Sequence, residues 1–448
     1  MKFKNLFRTV LVALFVTTLI SCSDDDDTSF PPATTTIAEF VAANADYSSL
    51  LAALEKAELV ATLSGSGNFT VFAPNNAAFD EFLTANGLTL ETATKEQLTP
   101  ILLNHVIGSE ITSAQLSTGY FLNLADMSSY INTSSGVVIN GVATVTTADI
   151  DQSNGVIHAV DKVIPVPTML TFAANDPDLS TLATVATTTT GFDTDFAAVL
   201  SAADSNLTLL APDNTAFTDL GDISGLAVET LEQILLNHVI AGVNLSTGLS
   251  TSYAKTLATY GDTDKNLSIY INTSSGVTFN GNSTVTTADA IASNGVIHKV
   301  NTVITLPTVV TFATADTDTF STLVSALTTL TPTTDFAAVL STGLGTDPAP
   351  FTVFAPTNDA FAAITVPTDE TVLAGVLNHH VVAGANVTSD MLAATPTATT
   401  LNGDITLTAM PATVTGATNM TASNIVVADV QAANGVIHVI DQVLLPMM

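Results

Sequence analysis

Apolar residues recur along this chain in a fixed succession of periods, and the succession runs through three times. In the first pass, Ile37-Ala38-Glu39-Phe40-Val41 and Leu50-Leu51-Ala52-Ala53-Leu54 have helical spacing and predict two short amphipathic helices. Phe69-Thr70-Val71-Phe72-Ala73 then alternates with period two and predicts a strand. Pro74 removes a ladder donor and stops it, and Asn75 can cap a helix carrying Ala77, Ala78 and Phe79. The same strand, proline and capped helix return as Leu210-Ala211-Pro212-Asp213 to Phe217 and as Phe354-Ala355-Pro356-Thr357 to Phe361. A further helical stretch ends in Leu103-Asn104-His105-Val106, matched by Leu236-Asn237-His238-Val239 and Leu377-Asn378-His379-His380. β-formers around Asn140-Gly141, Asn280-Gly281 and Asn402-Gly403 predict a hairpin in every copy.

Each pass closes on Asn-Gly-Val-Ile-His, with the histidines at 158, 298 and 438, an interval of 140 residues both times. Asn-Gly predicts a turn with positive φ, and the β-branched run after it predicts a strand buried on both faces. A period of 140 residues is long enough for each copy to bury its own core. The expected fold class is therefore mixed α/β, as three modules at 37–167, 168–307 and 308–448. Pro165-Val166-Pro167-Thr168 and Leu306-Pro307-Thr308 leave almost no linker, which predicts a stiff rod. Modules one and two share Tyr-Ile-Asn-Thr-Ser-Ser-Gly from Tyr130 and from Tyr270, and module three has no tyrosine.

Composition narrows the partners. Lys2, Lys4 and Arg8 lie in the first 22 residues, leaving six lysines against 41 acids, a net charge of −35. Such a surface repels phosphate backbones and anionic lipid, so nucleic acid is excluded as a partner. The 1–22 segment has a basic start, an apolar run from Thr9 to Ile20, and Leu19-Ile20-Ser21-Cys22, which resembles a bacterial lipobox. Cys22 is the single cysteine, so disulfide frameworks and thiolate metal cages are excluded. The expectation is lipidation at Cys22 and anchorage to a bacterial outer membrane. Residues 23–36 read as a tether. Its Ser23-Asp24-Asp25-Asp26-Asp27 run is either a solvated spacer or an export signal to the cell surface, and surface display is the favoured reading.

Phe351-Thr352-Val353-Phe354-Ala355-Pro356-Thr357-Asn358-Asp359-Ala360-Phe361 resembles the first motif of the fasciclin domain. Asn434 to Pro446 resembles the second, with the Asn-His pairs between them where the family carries a Tyr-His or Asn-His element. The resemblance covers 34–448 in three copies. It implies compact modules with a small β-wedge and packed helices. It also implies extracellular adhesion or binding without catalysis.

The residues that could carry chemistry agree with that implication. The histidines, His105, His158, His238, His298, His379, His380 and His438, all fall in the repeated motifs, and no His-Glu-x-x-His or Gly-x-Ser-x-Gly accompanies them. They are expected to be structural, hydrogen-bonded to backbone between helix and strand, as are Asn104, Asn237 and Asn378. No catalytic residue, metal or cofactor is expected. Asp262-Thr263-Asp264 begins like a calcium loop, yet Leu267 and Thr273 stand where glycine and glutamate are required. With no tryptophan present, Tyr130 and Tyr270 are the candidate ligand-facing pair. The functional expectation is a surface-anchored, multivalent adhesion protein for an extracellular protein or polysaccharide. The alternatives are a structural or self-associating spacer and an accessory carbohydrate-binding lipoprotein.

Overall fold

A computed structural model describes residues 33–447, which form three mixed α/β units on one plan; the leader, Cys22 and the acidic run lie outside the described residues. In the first unit, helices Ile37–Ala43, Ser48–Lys56 and Val60–Ser64 precede strand Phe69–Pro74, and helices Asn76–Ala85 and Lys95–Asn104 follow it. The helix starts are written locally. Thr36 accepts from the Glu39 backbone N–H while the Glu39 carboxylate accepts from that of Thr36, a reciprocal cap. Asn75, Asp213 and Thr357 likewise accept from the backbone N–H of Ala78, Ala216 and Ala360. No helix among the described residues is long and apolar enough to cross a membrane.

The strands of the first unit lie in the order Val106–Ile107, Phe69–Pro74, Gly155–Val160, Ala143–Gln152, Val138–Ile139, Ser128–Asn132 and Gly119–Leu122. The strand that comes last in sequence is thus central in space, parallel to Phe69–Pro74 and antiparallel to Ala143–Gln152. All six of its residues are buried, which is why alternation gives way there to a continuous apolar run. Two cores flank it. Val71 and Ile157 face the helices with Phe79 and Leu102, and Phe72 and Val160 face the curled wedge with Ile131 and Ile139. In the second unit the curl closes into a barrel, Thr256 pairing with Ile240.

Two expectations about the Asn-Gly pairs need correction. Gln152 pairs with Gly155, so the hairpin turns on Ser153 and Asn154 and Gly155 is already strand. A Cβ on Gly155 would strike the backbone of Phe69, and its φ of 140° is itself one that favours glycine, so close strand approach and backbone conformation both require the residue. Asn154 works through its side chain. Its Oδ1 accepts from Ile37 N at 2.9 Å, and its Nδ2 donates to Leu63 O and Gly65 O at 2.8 and 2.9 Å. Asn294 and Asn434 repeat all three bonds, clamping the first helix of each unit to its central hairpin.

The second correction concerns Asn402-Gly403. Asn140-Gly141 and Asn280-Gly281 do turn with positive φ, at 50° and 68° and at 48° and 75°. Asn402-Gly403 instead joins Thr397–Thr400 to Gly403–Ala409, two hairpins earlier in the plan. In the third unit the equivalent connection is 416–422, between Ala412–Thr415 and Ser423–Ala432. The broken spacing carried the signal, because Asn402 follows Asn280 by 122 residues instead of 140.

Candidate functional site

His105 caps the end of helix Lys95–Asn104. Its Nδ1–H donates to Ile101 O and its Nε2 accepts from Ile164 N, both at 2.8 Å, tying the helix to the closing segment of its own module. His238 bonds Ile234 O and Ile304 N in the same way, and His380 bonds Val376 O and Leu444 N. The third partner of this set is therefore His380, not His379, because the strands that follow begin at Val106, Val239 and Val381. His379 stands in the place of Asn104 and Asn237, and Asn378 falls one residue before the shared pattern. Asn104 donates to Ile164 O and Pro165 O, and Asn237 to Ile304 O and Thr305 O. His379 meets Asn402 O and Ala417 N instead.

Burial pushes His105, His238 and His380 down to about 4. In the unfolded chain they titrate near 6.5, so between these values the native state binds fewer protons. The stability they contribute is full above about pH 6.5 and is lost as pH falls toward about 4, at about 3 kcal/mol for each histidine. Thermal unfolding followed from neutral pH down through this window should show a steep fall in Tm. A Tm that holds level across it would contradict the neutral, buried imidazoles.

The other three histidines hold a bulge. His158 donates from Nε2 to Ile111 O at 2.9 Å and accepts at Nδ1 from Asp149 N at 3.2 Å. Asp149 has φ 59° where the strand register shifts, and its carboxylate accepts from Ser113 N at 2.7 Å. His298 with Asp289 and His438 with Asp429 repeat the arrangement. Every imidazole nitrogen is thus engaged by backbone, leaving none for a metal or a reacting atom. Among the described residues no group of three His, Cys, Asp or Glu side chains could hold a metal ion.

Tyr130 and Tyr270 lie elsewhere than expected. Each is 2 % exposed and packed against the following module, so neither ring has a face on which a sugar could stack, and the ligand-facing reading is corrected. Each has a cross-strand partner, Tyr120 and Tyr253, with ring centroids 5.0 Å apart in both pairs. From the next module, Phe172 and Phe312 meet Tyr120 and Tyr253 edge-on at 5.2 and 5.8 Å.

The tyrosines converge on one buried carboxylate per joint. Tyr120 donates to Asp176 at 2.9 Å, and Tyr253 and Tyr270 donate to Asp316 at 2.9 and 3.2 Å. Asp176 and Asp316 are 2 % and 5 % exposed and also cap the turn after their own helix, accepting from Asp178 N and Thr319 N. Burial, reinforced by the Asp316 charge, pushes Tyr270 up to about 12, so it stays a donor at physiological pH. Tyr120, Tyr130 and Tyr253 are raised for the same reasons. Lys299 adds bonds of 3.1 Å to Asp176 and 2.6 Å to Asp178. Serines extend each joint, Ser128 accepting from Ile291 N and Ser268 from Gln431 N at 2.9 Å.

These joints account for the divergence of the terminal modules. Asn44, at the end of helix Ile37–Ala43, stands in the first module where Asp176 and Asp316 stand in the others. The third module carries threonines on the strands that hold tyrosine pairs in the first two. Sequence reasoning missed Tyr120 and Tyr253. Ten residues separate Tyr120 from Tyr130 and 17 separate Tyr253 from Tyr270, so the longer hairpin hides the match.

A family model described as the fasciclin domain matches residues 45–167, 177–307 and 318–446. A 134-residue stretch is 43% identical to Protein sll1483 of Synechocystis sp., covering 30% of this chain and 74% of that protein. Human periostin is 28% identical over 92% of this chain and 47% of its own length. Porcine transforming growth factor-beta-induced protein ig-h3 is 28% identical over 92% of this chain and 58% of its own. The chain thus spans about half the length of these two animal relatives. Among solved structures, a FAS1 domain pair from the insect cell adhesion molecule Fasciclin I aligns with 22% identity and a TM-score of 0.36, covering 56% of this chain and 97% of that one.

Proposed function

Because this chain belongs to the fasciclin-domain family in three tandem copies, we propose that it is a surface-anchored, non-enzymatic adhesion lipoprotein. Fasciclin-domain proteins are adhesion-related, and the tandem repeat fits that role. The observation that carries the reading is where the polar side chains of the motifs go. His105, His158, Asn154 and their counterparts bond to backbone inside the modules, and the tyrosines bond between modules. What remains for function is surface, held at fixed spacing by the joints.

Anchorage rests on Leu19-Ile20-Ser21-Cys22, where acyl chains on Cys22 would hold the protein to the outer membrane at the cell surface. Cys22→Ala is expected to move the protein from the membrane fraction to the soluble one. Retention in the membrane fraction would overturn the anchor. Adhesion predicts that whole cells lose attachment to a coated surface when the gene is deleted and regain it with the wild-type chain. The docked joints also favour a second reading, a rigid spacer between the membrane and something else. Unchanged attachment after deletion, with protease-accessible modules on intact cells, would select the spacer.

A further inference from the structure

The third module closes differently from the other two. Asn104 and Asn237 donate straight to the closing segments of their modules, at Ile164 O and Pro165 O and at Ile304 O and Thr305 O. In the third module a longer connection, 416–422, holds the closing segment. Asn419 donates to Val443 O at 2.9 Å and accepts from Leu445 N at 2.7 Å, and Thr418 N donates to Leu445 O at 3.1 Å. His379, in the place of the two asparagines, fastens that connection instead. Its Nδ1–H donates to Asn402 O at 2.8 Å, and its Nε2 accepts from Ala417 N at 3.3 Å. One imidazole thus ties together two loops, 401–402 and 416–422, at the same end of the third wedge. We propose that His379 is an acid-sensitive latch, whose protonation releases loop 416–422 while the rest of the module stays folded.

Holding both loops requires a neutral ring, with a proton on Nδ1 and a lone pair on Nε2. An imidazolium carries N–H on both nitrogens, so its Nε2–H would point at the Ala417 N–H and the bond would turn to repulsion. Every other histidine also accepts one backbone N–H, but each would have to move something larger. Leu444 N, on His380, belongs to a segment whose Val443 and Leu444 are buried in the two cores, and His158, His298 and His438 sit on fully buried strands. Ala417, Thr418, Met420, Thr421 and Ala422 are exposed, so their loop can lift at little cost in buried surface. As pH falls, proton uptake that requires opening comes first where opening costs least. Burial holds His379 below the ordinary histidine value, against the Asn402 carbonyl and the Asp404 charge, so the latch is closed at neutral pH. Its contribution is full above about pH 6.5 and is lost as pH falls from there. Asp404 is the carboxylate that favours the imidazolium, and a protonated His380 would oppose it. Strand Thr397–Thr400, loop 416–422 and segment 443–446 bring no titratable side chain, and Asp369 and Glu370 lie at the far end of the helix that leads to His379.

Hydrogen exchange of residues 23–448, read by mass spectrometry and corrected for the intrinsic effect of pH, tests the latch peptide by peptide. As pH falls below about 6.5, peptides covering 416–422 should lose about tenfold or more in protection, while those covering Gly435–Ile440 keep theirs. His379→Asn puts in the residue of the other two modules, cannot titrate, and should hold protection level over the same range. Asp404→Asn keeps an acceptor for Thr399 and removes the charge that favours the imidazolium, so the transition should move to lower pH. Where the His379→Asn loop is open at every pH, the Asp404→Asn shift decides. Level protection in the parent chain would overturn the latch, as would a loss that persists unshifted in both variants. Loss that arrives only together with equal loss at Gly435–Ile440 would overturn it too, and would assign the acid response to His105, His238 and His380.

Discussion

Asn294→Ala is expected to destabilise the middle module by about 5 kcal/mol, because two buried backbone groups, Met169 N and Leu200 O, and one nearer the surface, Ala202 O, lose their partner at once. Asn294 accepts from Met169 N and donates to Leu200 O and Ala202 O, and it is fully buried. Alanine fills none of these roles. An unsatisfied buried donor or acceptor costs about 1–3 kcal/mol, which sets the scale for the two buried groups, and the bond to Ala202 O adds about 1 kcal/mol. Hydrogen exchange followed by mass spectrometry would read the loss module by module, with fast exchange in peptides from 168–307 and little change in 37–167. A loss within about 1 kcal/mol would mean that the clamp is incidental to stability. Asn154→Ala and Asn434→Ala should act alike in their own modules, since the same three bonds recur there.

Asp316→Ala is the second large effect, expected at about 4 kcal/mol and concentrated at the joint between the second and third modules. The substitution leaves the hydroxyls of Tyr253 and Tyr270 without their carboxylate acceptor and removes one of the two acceptors of Thr319 N, which keeps the backbone oxygen of residue 316. Asp316→Asn keeps a side-chain acceptor and should cost less. A double-mutant cycle with Tyr253→Phe isolates the shared bond, and its coupling energy should be about 1–3 kcal/mol. Coupling near zero would show that the modules touch there without holding one another. Calorimetry supplies a second readout, because loss of the joint should split the unfolding of the last two modules into separate transitions.

What the sequence made legible was local. The strand ending at Pro74, the cap at Asn75 and the short helices from Ile37 all follow from periods and capping types within a few residues. The double burial of Val156 and Ile157 was legible too, because a strand covered on both faces has a composition of its own. What stayed hidden depends on distant partners. Tyr130 reads the same whether it faces solvent or Asp176, and only the docking of the next module decides. Tyr120 and Tyr253 were concealed by a change in hairpin length, and His380 by an adjacent histidine that offered the wrong register. Lys299 had no repeat to announce it, since Ala159 and Val439 occupy its place in the other modules.

The tyrosine–aspartate joints turn three fasciclin modules into one unit with a single free wedge face among the described residues. The most direct measurement is a distance distribution between spin labels placed at Thr84→Cys in the first module and Ala362→Cys in the third. The chain would start after Cys22, and the distances would be read by double electron–electron resonance. One narrow distribution in the parent chain, broadening in Asp316→Ala, is the predicted result. A distribution already broad in the parent chain would mean that the modules move independently, and the account of the joints would fail.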